Sequence, residues 1–211
     1  MESATQAKPA ASPVEGPSPP LIVRLRPVLE LTDEQFFQLA GLNRELRLEL
    51  TAEGELIVMP PTGGETGRRN IRIASRLDLW SEQDGTGIAF DSSTGYVLPN
   101  GAKRSPDASW VERARLAALT PEQRRKFLPL CPDFVVELRS PTDRLRDVQA
   151  KMGEYIDNGA RLGWLIDPEE RRGYVYRPEA PVQRLDAPET LSGDPVLPGF
   201  VLDLREIWPA L

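Results

Sequence analysis

At 211 residues the chain suits one domain of ordinary size with a core of its own and is short for two. It has no histidine, which excludes Ser-His-Asp and Cys-His catalysis, His-ligated zinc and the HExxH helix together, and leaves carboxylate, lysine and arginine chemistry. The single cysteine, Cys131, excludes an internal disulfide and reads as a small buried residue; the net charge of −6 argues against a dedicated duplex-DNA binder, though not against an enzyme that gathers acidic groups around a cation.

Residues 1 to about 26 are rich in Pro, Ala, Ser and Glu and bury too little apolar surface to offset ordering, so a disordered tail is expected ahead of one domain over 27–211. No apolar run approaches the roughly 18 residues of a membrane span, and the basic-then-apolar start of a signal peptide is missing. The cytoplasm is therefore the expected location, with no membrane partner.

The domain opens at Thr32, where Thr-Asp-Glu-Gln predicts a helix N-cap, with the helix ending near Gly41. Strands are expected over 46–50 and 54–59 around a Glu53-Gly54 turn. A Pro/Gly loop over 60–67 leads to a helix with Ile73, Leu77 and Trp80 on its core face. Arg68, Arg72 and Arg76 repeat at i, i+4 beside that face, as a solvated stripe or a phosphate-contacting one. Strands near 87–90, 94–98 and 107–111 and a polar helical insertion over 112–127 follow. Phe134 to Leu138, bounded by Pro132 and Pro141, reads as a central strand. A helix over 143–158 then leads to a strand over Leu162 to Asp167, which implies a parallel pair joined by a right-handed crossover. The proline-spaced tail closes the chain as edge strands or hairpins.

Glu137 is a carboxylate inside an apolar strand and needs compensation. Either a salt bridge to Arg139, on the same side by strand alternation, or a bound divalent cation would supply it. A cation needs a second acidic ligand. Asp107, at a strand start behind Pro106, supplies one if its strand neighbours that of Glu137. Lys151 falls at the edge of the buried stripe Leu145, Val148, Met152, Tyr155 and Ile156, where it either snorkels to water or reaches inward. Phosphate-loop, dinucleotide and nucleophile-elbow motifs are all incomplete.

The segments PPTGGETG at 60–67, FDSSTG at 90–95, LPNGA at 98–102, RSPDASWV at 104–111, LCPDFVVELRSPTD at 130–143, GWLIDP at 163–168 and LSGDPVLPGFVLDL at 191–204 together carry a family likeness. The chain resembles the Uma-two type of restriction endonuclease, of the PD-(D/E)XK nuclease superfamily, from about Leu31 to Pro209. The resemblance implies an α/β fold, a restriction-endonuclease-like mixed β-sheet flanked by helices, with the family's aspartate at Asp107 and its acidic partner at Glu137. It also implies a Mg2+ cofactor, replaceable by Mn2+, held by Asp107, Glu137 and the carbonyl of Leu138. The superfamily lysine two residues after the acidic partner is here Arg139, so Lys151 is the candidate for a migrated lysine. Glu49 resembles an acidic position that completes the site.

The expected activity is metal-dependent cutting of a nucleic acid, DNA first, with Arg68, Arg72 and Arg139 contacting the backbone. A homodimer would suit a double-strand cut. The rival readings are a degenerate binding module with the nuclease fold and a non-enzymatic partner protein.

Overall fold

Local sequence preferences set most element ends. In the computed structural model, which describes residues 19–210, Thr32 caps helix α1 (Asp33–Leu42): its hydroxyl accepts the Gln35 N–H at 3.2 Å, and the Gln35 side chain returns a bond to the Thr32 N–H at 2.9 Å. Strands β2 (Arg47–Leu50) and β3 (Glu55–Met59) form the expected hairpin, whose turn uses the positive φ of Gly54. Of the expected tail, residues 1–18 lie outside the described residues. The rest needs a correction: Leu21–Arg24 form strand β1, antiparallel to β3, because the Leu-Ile-Val run satisfies its backbone by extending the hairpin.

Helix α2 (Gly64–Asp84) is followed by β4 (Gly87–Asp91), β5 (Tyr96–Val97), β6 (Lys103–Arg104) and β7 (Ala108–Glu112). The insertion expected as one helix over 112–127 breaks into α3 (Arg113–Ala117) and a separate 3-10 turn over Gln123–Arg125. Pro121 disfavours helical backbone at Thr120, which instead caps a new turn through reciprocal bonds with Gln123. Strand β8 (Phe134–Leu138), helix α4 (Leu145–Asp157) and β9 (Leu162–Asp167) form the parallel crossover unit, with Val136 opposite Trp164. Strands β10 (Arg172–Tyr176), β11 (Gln183–Asp186), β12 (Thr190–Ser192) and β13 (Val201–Asp203) close the chain in antiparallel pairings.

The described strands form two main sheets. One has the order β11-β10-β9-β8-β7-β4 and is mixed; the other, β1-β3-β2-β6-β5, is antiparallel. Alternation along β8 sends Phe134, Val136 and Leu138 into a core with α2 and the C-terminal segment, where Trp164 and Phe200 stack 5.6 Å apart. Val135 joins a second core with Met152 and Tyr155 of α4. Gly163 permits that close seat, since a Cβ there would stand 2.4 Å from the Met152 methyl. None of the described helices is long and apolar enough to cross a membrane.

Candidate active site

Strand alternation turns Glu137 toward α4, on the face of Val135. In the neighbouring strand Ala108 stands opposite Val136, so Asp107, one residue before β7, comes beside Glu137. Asp107 is fixed there by the Leu138 N–H, 2.9 Å from its Oδ2, and by Arg47 and Asn70, which donate to Oδ1 at 3.1 and 3.3 Å. All three carboxylates of the cluster are buried: Glu49 is 2% exposed, Glu137 6% and Asp107 7%.

Lys151 joins the two sheets. From α4 its Nζ lies 2.8 Å from Oε1 of Glu137 and 2.8 Å from Oε1 of Glu49 on β2. One turn on, the Tyr155 hydroxyl donates to the same Glu137 oxygen at 3.1 Å. Glu49 also accepts the Ser105 N–H at 3.0 Å and Arg104 at 3.2 Å, and Arg104 reaches Glu154 at 2.6 Å. Charges alternate through this network, which is how so many ionised groups stay buried.

The electrostatics separate the carboxylates. Burial drives Glu137 up to about 7; Lys151 opposes the rise, while Asp107 and Glu49 add to it. Burial pushes Glu49 the same way, but Lys151, Arg104 and Arg47 outweigh it and hold the group down at about 2. Burial alone would lower Lys151, yet Glu137 and Glu49 raise it above the usual lysine value, so it is an ammonium at neutral pH.

Asp107, Glu137 and the Leu138 carbonyl offer an oxygen-only donor set, the kind magnesium takes together with water. Both side-chain contacts of Glu137 fall on Oε1, and its raised pKa marks a carboxylate short of positive charge. These residues therefore fit a hard cation. Among the described residues no group of three His, Cys, Asp or Glu side chains is placed to hold a metal by itself. The cluster lines a cleft of about 1720 Å³, bounded by β1, β2, β3, the loop over 60–63 and the length of α4.

The profile of the Uma2 family, described as "Putative restriction endonuclease", matches residues 33–205. The chain belongs to the Uma2 family. Among solved structures it is similar to "a putative nuclease belonging to DUF820 from Anabaena variabilis ATCC 29413", with a TM-score of 0.70 and 20% identity over 85% of this chain and 98% of that one, which establishes a shared fold. No curated protein matches the chain.

In this Uma2 chain Asp107, Glu137, Lys151 and Glu49 come together in one contact network. Arg139 does not compensate Glu137. Its N–H still bonds the Ile166 carbonyl at 2.9 Å, so the β8–β9 register carried one position further sets it beside Asp167, which its guanidinium binds at 2.7 Å. Arg68 donates to the Pro209 carbonyl, and Arg72 pairs with Glu206 at 3.3 Å, so the α2 stripe faces the C-terminal segment; none of these three arginines lines the cleft. Arg47, Arg104, Asn70 and Tyr155 went unrecognised in the sequence. Two signals pointed to them: Arg47 alternates with Glu49 on β2, and Tyr155 follows Lys151 by four residues.

Proposed function

We propose that this Uma2 protein is a metal-dependent endonuclease that hydrolyses phosphodiester bonds of DNA. The observation that carries the reading is the position of Lys151, whose Nζ meets Glu137 and Glu49 at 2.8 Å beside Asp107. It supports the view that α4 supplies the cation that Arg139 does not.

Asp107, Glu137 and the Leu138 carbonyl would hold Mg2+, or Mn2+ in its place. Bound there, the cation would polarise the scissile phosphate and lower the pKa of water. Lys151, kept protonated by the charge of its two carboxylate neighbours, orients the attacking water and offsets charge that develops on the phosphate; it is no base. Glu49 keeps that ammonium in place, and Arg104 with the Ser105 N–H keeps Glu49 in place. Tyr155 fixes Glu137, and Arg47 and Asn70 fix Asp107. Arg68, Arg72 and Arg139 would touch backbone only outside the cleft. The degenerate-module reading rests on Arg139 alone, and the Lys151 contacts weigh against it.

The test is incubation with supercoiled plasmid and with single-stranded DNA, in Mg2+, Mn2+ or chelator, beside Asp107→Ala and Glu137→Ala. Cutting that needs metal and both carboxylates is expected. No cutting with any metal, by protein that is folded and binds DNA, would refute the catalytic reading.

A further inference from the structure

The register of the five-stranded sheet defines what lies beside the acidic cluster. Glu49 stands opposite Ile57, and Ile57 opposite Ile22; Arg47 stands opposite Met59. Directly paired residues share a face, so Ile57, Ile22 and Met59 are on the cleft side with Glu49, while Leu48, Leu50, Leu56 and Val58 pack beneath with Phe36. At a strand spacing of about 4.8 Å, this apolar row runs roughly 10 Å outward from Glu49. Ile22 is 54% exposed, and Ile57 and Met59 are half-buried.

The charges lining the cleft are the second observation. Six Arg and Lys residues face ten Asp and Glu. A duplex presents about one phosphate charge per 1.7 Å of axis and draws its affinity from basic residues along both strands. This cleft has too few for that role. Among its cations Arg144, exposed at the start of α4, makes no ion pair with a described residue. It lines the same cleft as the apolar row.

We propose that the substrate is an unpaired strand, whose bases lie on Ile22, Ile57 and Met59 while its phosphates run past Arg144 and Lys151. Only unpaired bases expose faces to such a wall, and apolar and stacking contacts with bases are indifferent to sequence. The inference rests on the nuclease reading for the direction of the strand across the site, and extends it to the class of substrate.

Fluorescence anisotropy of the full chain in chelator, with a labelled unpaired 20-mer and the corresponding duplex, tests it. The unpaired strand is expected to bind about tenfold tighter than the duplex, and Ile22→Ser with Ile57→Ser to weaken the unpaired strand about tenfold while leaving the duplex unchanged. Ile22→Ser alone, at an exposed edge strand, gives the same sign where the double variant fails to fold. Duplex binding as tight as single-strand binding overturns the inference, as does indifference to these substitutions; metal-dependent cutting of that duplex would leave the nuclease reading standing. Tight single-strand binding through Ile22 and Ile57 with no cutting under any metal supports the inference and removes the nuclease reading.

Discussion

Replacing Glu137 with glutamine should stabilise the protein while removing its function. Burial raises the Glu137 carboxyl from 4.5 to about 7, so the folded state holds this proton more tightly than the unfolded chain does. The sign follows: below the unfolded value the folded state carries no penalty, stability falls as pH rises through the folded value, and the full penalty persists above it. A rise of that size corresponds to roughly 3 kcal/mol, and for a domain of this length to a melting shift of about 6–12 °C. Glutamine keeps the shape and stays neutral, so Glu137→Gln should exceed wild type by about 3 kcal/mol near pH 8 and by almost nothing near pH 4.5. Urea unfolding of both proteins in chelator across that range measures the gap. Magnesium at about 100 times its Kd should then stabilise wild type by roughly 2.7 kcal/mol and the variant by less. A variant no more stable than wild type near pH 8, or a gap that ignores pH, would refute the claim that Glu137 is an under-compensated buried charge.

Lys151→Met leaves Glu49 and Glu137 without their shared cation, and should lower kcat by about 10²–10³ and stability by roughly 3–5 kcal/mol, measured by cutting of single-stranded DNA and urea unfolding. Arg139→Lys introduces the lysine that the PD-(D/E)XK resemblance implies at this place, yet Arg139 binds Asp167 at 2.7 Å, so cutting should change less than about twofold; a large gain would show that position 139 reaches the reacting phosphate. Arg104→Ala should loosen both Glu49 and Glu154 and cost about 3–5 kcal/mol in urea unfolding. Arg144→Ala should reduce the dependence of DNA binding on salt by close to one ion, while Arg72→Ala, tied to Glu206 away from the cleft, should change it less in the same titration.

Much of this molecule is determined by local chemistry that one sequence displays. The Thr32 cap, the Gly54 turn and the apolar run of β8 each follow from a few neighbouring residues. So does the unease of a carboxylate at Glu137, because the cost of burying a charge does not depend on knowing its partner. What fills that need depends on which strands become neighbours. Arg139, two residues away, goes to Asp167, while Lys151 from the next helix and Glu49 from the other sheet arrive at the site. The α2 arginines likewise face the C-terminal segment, a pairing over more than a hundred residues that no periodicity encodes. Charge compensation and the apolar wall of the cleft are properties of distant residues brought within a few ångströms, so only the tertiary structure decided them.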